Sequence, residues 1–463
     1  MVSKAGSITS ASGVAPAARI GASPLAQFAW VLFDGARSPY NVFINIFVFS
    51  AYFSTVVIPD PVRGQTWWSY ITSGASILIA LSAPVLGAIA DAGGRRKPWL
   101  VGSLVIGIPS MMVLWYATPG MTSGLWLIVL GLVGGLLFWE YSGIFLNAML
   151  PNIAPPARIG FLSGCGLAFA NVFGIALFLF FLYAWSWNPH PLFGLDPARH
   201  EPERAVGIIA AICVAIFSLP LFFITPDSPR TSLSLGEAVS SGIRRLFETL
   251  KQVRRYSNVA TFLGARLAFY EGFLSLMLFT GVFAAGILKW TPTMLIVEGL
   301  INSVVAAIAG MFAGWLDTRI GSKYSTIVFV GGCLVANVVL CSVTPNSVFF
   351  VSIDPVATAT GGLFPSLPDK VFLVTQCSIA FFITGGMVTG RSLMAKIAPR
   401  TMLNEFFGLY TMSGTATSFV GPAVIGSLTW LFASQRVGVA VGIVFLLIGV
   451  VVMFRVKEVP TEA

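Results

Sequence analysis

The sequence predicts an all-α membrane protein of twelve transmembrane helices, arranged as two six-helix halves. Three observations carry this. Hydrophobic residues make up 56% of the 463-residue chain against 10% charged, with a mean hydropathy of +0.87. That is more apolar surface than a soluble fold of this size hides. Apolar runs long enough to cross a bilayer, about 20 residues, recur along the whole chain. Finally, a basic, glycine-turned stretch occurs twice after an apolar segment. The first copy is Gly87-Ala-Ile-Ala-Asp91-Ala-Gly-Gly94-Arg95-Arg96-Lys97, and the second is Gly314-Trp-Leu-Asp317-Thr-Arg319-Ile-Gly321-Ser-Lys323.

The apolar runs place spans 1 to 6 at 27–57, 68–90, 98–117, 124–149, 160–187 and 204–225. Spans 7 to 12 follow at 258–288, 291–316, 323–343, 370–396, 405–432 and 436–455. The halves are therefore 26–225 and 258–456, with 457–463 a short cytoplasmic tail. Residues 1–25 are rich in Ala, Ser and Gly and lack the compact apolar core of a cleaved signal peptide, so a flexible cytoplasmic tail is expected. Between the halves, 226–257 opens with Pro226 and Pro229 and offers a capping box, Ser234-Leu-Gly-Glu237. Val239, Ile243, Leu246, Leu250 and Val253 then recur at helical spacing, with Arg244, Arg245, Glu248, Lys251 and Arg255 on the other faces. This reads as an amphipathic helix on the membrane surface meeting anionic lipid, or as a solvated linker helix.

The net charge of +9 is distributed by side of the membrane. With the N-terminus inside, 18 Lys and Arg fall on cytoplasmic segments, six on the opposite side and three within spans. This positive-inside pattern predicts that both termini are cytoplasmic and makes the basicity a matter of topology rather than a nucleic-acid footprint; a bacterial inner (plasma) membrane is the expected location. The five cysteines lie within spans without metal-like or redox-like spacing, so neither disulfide nor metal is expected. His190 and His200 read as solvated loop residues. No G-x-x-x-x-G-K-[ST] loop occurs, so no nucleotide cofactor is predicted.

A further echo supports duplication. Ile153-Ala154-Pro155 ends span 4 as Ile397-Ala398-Pro399 ends span 10, and Ser163-Gly164 corresponds to Ser413-Gly414. Glycines four residues apart recur at Gly160 and Gly164, Gly310 and Gly314, Gly386 and Gly390, and Gly438 and Gly442. They are expected to pack helices closely within a monomer. Gly421-Pro422 is expected to loosen or kink span 11.

Ionisable residues within spans are costly, and so are candidates for function. Span 1 carries Asp34 and Arg37 on one face, span 4 Glu140, span 7 Arg266 and Glu271, span 8 Glu298 and span 10 Arg391. Glu405 sits at the mouth of span 11. Six of these seven mid-span charges fall on spans 1, 4, 7 and 10, which line the central cavity in bundles of this layout. Asp34, Arg37 and Arg266 then either bind solute or form internal pairs that fix helix register. Glu140 and Glu271 have no basic neighbour on their own helix face, as a proton-exchanging carboxylate requires. Asp91, Arg95, Arg96 and Lys97, with Gly87 and Gly94 turning the loop, read as a gate between conformations. The expected ligands are a small or amphipathic solute, membrane lipids and a coupling proton.

Gly87 to Lys97 resembles the signature loop between spans 2 and 3 of the major facilitator superfamily. Further stretches resemble its vacuolar amino-acid effluxer-like branch and that branch's bacterial relatives. They are Phe33-Asp34-Gly-Ala-Arg37-Ser38, Phe145-Leu-Asn147-Ala-Met-Leu-Pro151 and Arg266-Leu-Ala-Phe-Tyr270-Glu271-Gly272. The most specific is Arg391-Ser-Leu-Met-Ala-Lys-Ile-Ala-Pro399 with Asn404-Glu405-Phe406-Phe407-Gly408-Leu-Tyr410 and Ser413-Gly414. The resemblance implies a twelve-helix secondary transporter working by alternating access, with export as the usual direction, and adds Asn147 to the secondary candidates. Arg37 departs from it, standing where relatives carry a small neutral polar residue, and Glu271 stands where Asp is common. An added cation points towards a solute bearing an acidic group. Two other readings stay open: a flippase for an amphipathic lipid, and a membrane scaffold without flux.

Overall fold

The computed structural model describes residues 22–188, 191–227, 236–237, 240, 244, 256–354, 361–399 and 403–458. Nearly all of the N-terminal tail, the expected linker helix and His190 lie outside them. Among the described residues, eleven helices are long and apolar enough to cross a membrane, and a twelfth span is built from two shorter pieces. Spans 1 to 6 run Pro24–Val57, Pro61–Gly93, Lys97–Tyr116, Leu125–Ile153, Pro156–Phe181 and Glu201–Ile224. Spans 7 to 10 are Ser257–Ile287, Pro292–Ile320, Ser322–Ser342 and Leu367–Ile397. Span 11 is Leu403–Thr415 then Val420–Phe432, and span 12 is Gln435–Arg455.

Caps, rather than the ends of apolar runs, decide where several spans begin. Span 2 starts seven residues before its apolar run because the Asp60 carboxylate accepts Val62 N–H at 2.9 Å and Pro61 presets the first turn. Ser366 and Asp369 form a reciprocal capping box at the start of span 10. In span 11 the break falls just before Gly421-Pro422. Pro422 then occupies the first turn of the second piece, where its missing N–H leaves no helical bond unmade. Span 1 widens after Pro39 into π turns over Tyr40–Phe47 and again over Phe53–Val57, a distortion that recurs at functional sites.

The two halves repeat one packing scheme. Span 1 packs on 5 and 6, span 3 on 4 and 6, and span 2 on 4; in the second half span 7 packs on 11 and 12, span 9 on 10 and 12, and span 8 on 10. The duplicated loops repeat as well. Gly94 and Gly321 end spans 2 and 8 with positive φ (74° and 84°), a conformation free of strain only for glycine. At the start of span 3, Asp227 accepts Arg96 N–H at 2.8 Å and Lys97 N–H at 3.3 Å, while Lys97 Nζ donates to Phe222 O at 2.7 Å. At the start of span 9, Glu458 accepts Ser322 and Lys323 N–H, both at 2.9 Å, while Lys323 Nζ donates to Phe454 O at 3.1 Å. Each helix N-terminus thus receives a carboxylate from the segment that closes its own half. These loops mark what is called here the basic end of the bundle.

Between halves, the described hydrogen bonds cluster at the opposite, far end. Gln65 Nε2 on span 2 donates to Thr429 Oγ1 at 2.8 Å and to Gln435 O at 3.2 Å, Ser73 Oγ donates to Phe419 O at 2.9 Å, and Gln435 Nε2 donates to Pro61 O at 3.1 Å. Span 5 meets span 8 there too, with the Phe178 ring over Gly299. Below that contact the two spans leave room. Gly160, Gly164, Gly310 and Gly314 lie near-integral numbers of helical turns from Phe178 and Gly299, hence on the same faces. A Cβ at any of them would meet nothing within 4 Å. The expectation of close packing within the monomer is corrected for these two pairs, because no neighbouring atom comes within 4 Å of where their side chains would begin. It holds for Gly386 beside Phe273, Gly390 beside Tyr410, Gly438 beside Gln65 and Gly442 beside Asn337.

Candidate functional site

The span 1 charges form an internal pair, with Arg37 Nε 3.3 Å from Asp34 Oδ1. Arg37 Nη1 also donates to Trp139 O at 3.1 Å and Ser142 Oγ at 3.2 Å, and its guanidinium stacks 4.1 Å from the Trp139 ring centroid. Close backbone approach makes the room. A Cβ at Gly143 would stand 2.5 Å from Arg37 Nη1, and one at Gly166 would stand 2.9 Å from Asp34 Oδ2. Glu140, next to Trp139 on span 4, is half-buried and within electrostatic reach of Arg37.

Across the interface, span 7 presents Arg266, Tyr270 and Glu271. Arg266 is buried; Nη1 donates to Ser413 Oγ at 2.6 Å, and the guanidinium lies 3.7 Å from the Tyr410 ring centroid and 4.9 Å from that of Tyr270. Tyr270 is within electrostatic reach of Glu140, Arg266 and Glu271 together, so it joins charges of both halves. Among the described residues, neither Glu140 nor Arg266 makes an ion pair within 4.0 Å. Glu271 reaches span 11: its Oε2 accepts Gly421 N–H at 2.9 Å, at the start of the second piece. Its Oε1 is buried without a hydrogen-bond partner.

The remaining candidates scatter. Arg391 and Asn147 are exposed. The side chains of Asp91 and Glu405 lie outside the described residues. In the gate loop Arg95 is exposed, whereas Arg96 is buried and its Nη1 donates to Ala90 O. Its counterpart adds two ion pairs: Lys396 Nζ lies 3.6 Å from Asp317 and 3.3 Å from Glu458. Glu298 is fully buried on span 8, beside Asn302 and Cys377. Sequence reading did not single out Trp139, Ser142, Gly143, Gly166, Asp227 or Glu458. An aromatic followed three residues later by a serine on the Glu140 helix is the signal nearest to finding the Arg37 cradle.

A family model described as "Vacuole effluxer Atg22 like" matches residues 157–459. The uncharacterized MFS-type transporter YxiO of Bacillus subtilis is 23% identical over 93% of this chain and 94% of its own. Autophagy-related protein 22 of Kluyveromyces lactis is 21% identical over 65% of this chain, which spans 58% of that relative. Among solved structures, a D-xylose–proton symporter superposes with a TM-score of 0.66 at 14% identity, covering 94% of this chain and 98% of that one. A bacterial homologue of the human lysosomal transporter Spinster, inward-facing, gives 0.62 at 16% identity over the same shares. The fold is that of the major facilitator transporters, and the protein is an integral membrane transporter of that type. With more than half of its length matched by the family model, the chain belongs to the Atg22-like vacuole effluxers.

Proposed function

We propose that this protein exports a small solute bearing both a cationic and an anionic group, coupled to a proton, by alternating access. One observation carries the reading. Glu140 and Arg266 come from opposite halves, both act electrostatically on Tyr270, and leave their charges without an ion-pair partner within 4.0 Å among the described residues. An ammonium held by Glu140 and a carboxylate held by Arg266 would complete both, and would pull the halves together around the solute. Asp34 and Arg37 shape the N-terminal wall of the same site. By the positive-inside rule the basic end faces the cytoplasm of a bacterial cell, so the sealed far end makes this the inward-facing state. Glu271 supplies the coupling: ionised, it holds the N-terminus of the second piece of span 11, which in turn bonds span 2 at the far end. Protonation removes that charge and loosens the far seal.

The test is flux in proteoliposomes carrying an imposed pH gradient, with an equimolar mixture of the standard amino acids as probe and mass spectrometry as readout. Wild type is expected to move one or more of them with the gradient. Glu140→Gln and Glu271→Gln are expected to lose at least tenfold in gradient-driven flux while eluting as folded protein. Undiminished transport by both variants sinks the site. No flux by wild type, with lipid scrambling in the same vesicles, favours the flippase reading instead.

A further inference from the structure

Glu298 stands apart from the charges just described. It lies in the second turn of span 8 and is 0% exposed. Its Oε1 accepts a hydrogen bond from Asn302 Nδ2 at 3.2 Å, one turn further along the same helix. Its Oε2 and the Oδ1 of the same asparagine are both buried, and neither has a hydrogen-bond partner. Among the described residues no cation pairs with this carboxyl group. An ionised carboxylate with one hydrogen bond and no counter-charge is among the least stable groups a membrane interior can hold.

The two unsatisfied atoms are both oxygens, so what the pair lacks is a single donor. One proton on Oε2 supplies it. The acid O–H then donates to Asn302 Oδ1 while Asn302 Nδ2 donates to Glu298 Oε1, and an acid–amide ring closes with every polar atom of the pair engaged. The neighbourhood agrees. The titratable group facing Glu298 is the Cys377 thiol of span 10, and span 5 contributes the Phe178 ring over the adjacent Gly299. Spans 1 and 9, which also pack on span 8, place no charged side chain in ion-pair range of it among the described residues.

We propose that Glu298, with Asn302, is a proton-binding site distinct from the cavity carboxylates, and that sealing the far end takes up one proton from the far side. Phe178 belongs to the other half. When the halves part at the far end, the ring leaves Gly299 and Glu298 meets far-side water, where the carboxyl releases its proton. Closure buries the group again, and only the protonated form is satisfied there. Acid on the far side therefore favours the sealed state. This rests on the alternating-access reading, but not on which solute is carried or on Glu271.

The experiment measures the far-end opening without any solute. Wild type in nanodiscs carries a spin-label pair across the far end, and the sealed fraction is followed against pH. Uptake of one proton predicts a sealed-to-open ratio that changes by up to about tenfold per pH unit. Glu298→Gln keeps the ring permanently closed through its amide N–H, and is expected to lose the acid-favoured sealing, leaving only the opposite trend that Glu271 imposes. In parallel, infrared spectra of sealed wild type are expected to show a protonated-carboxyl band that Glu298→Gln removes. Asn302→Leu deletes only the ring partner and is expected to shift the band and lower the sealed fraction. A wild-type ratio that favours sealing in acid no more than that of Glu298→Gln, or an unchanged protonated-carboxyl band in Glu298→Gln, overturns the proposal. Those results leave the flux test of Glu140 and Glu271 standing. Absence of any solute flux, with the pH response intact, fails the export reading alone.

Discussion

An arginine within a lipid-embedded bundle carries a charge and five N–H donors to be satisfied, and Arg37 and Arg266 are held differently. Arg37 is neutralised by Asp34 and held by Trp139 and Ser142, whereas Arg266 rests on two tyrosine rings and one hydroxyl. Space for Arg37 exists because residue 143 has no side chain. Gly143→Ala would place a methyl 2.5 Å from Arg37 Nη1, and overpacking of this kind destabilises by about 1–3 kcal/mol. Gly102→Ala is the matched control. A Cβ there meets nothing within 4 Å, and replacing a mid-helix glycine by alanine stabilises by roughly 0.5–1 kcal/mol. Unfolding midpoints in one detergent are expected to move in opposite directions; equal shifts would mean that Arg37 swings aside freely. The charges were legible in the sequence because each interrupts an apolar run. The glycines that accommodate them were not, since a glycine facing Arg37 and one facing lipid look alike in a row of letters.

At the scale of elements, the ends of spans 3 and 9 carry the most transferable energetics. Burial on its own would raise the Glu458 carboxyl, but the backbone donors of Lys323 and Ser322, together with Lys396, bring it below the usual carboxylate range. A folded value below the unfolded one, about 4.3, means that the cap stabilises fully above that pH and fades as pH falls through the folded value. Glu458→Ala is expected to lose about 1 kcal/mol near neutral pH, and the difference from wild type is expected to vanish in acid. A deficit that persists at all pH values would assign the effect to packing. The turn glycines and basic residues of both loops were visible as a repeat. Their carboxylate partners, distant in sequence at residues 227 and 458, were not, because nothing local marks a cap that arrives from another span. The same holds for span 11, where a proline signalled the break but its position was set by the first turn of the next piece.

Across the whole molecule, the described hydrogen bonds between the halves form one polar zipper at the far end, and the glycines of spans 5 and 8 nearer the basic end have no neighbour within 4 Å. Interhelical hydrogen bonds in lipid are worth about 0.6 kcal/mol each, so Gln65→Leu is expected to raise the far-open population by roughly threefold per bond lost. Gly164→Leu is expected to do the reverse, because a bulky side chain on span 5 keeps spans 5 and 8 from meeting at the basic end. Spin-label distances across the far end read both, and parallel shifts in the two variants would contradict a rocking motion about the cavity. The two-half architecture and the membrane itself were readable from hydropathy and repetition; which end is closed was not, since both states satisfy the same pattern. The trailing carboxylates also bear on how the molecule comes into being. The chain emerges N-terminus first, and the turn between spans 2 and 3 stays uncapped until Asp227 has been synthesised. From that moment the first half needs nothing further from the chain to close its own loop, and the second half completes itself in the same way only with Glu458. Each half is thus a unit of biogenesis with its latch as the final part.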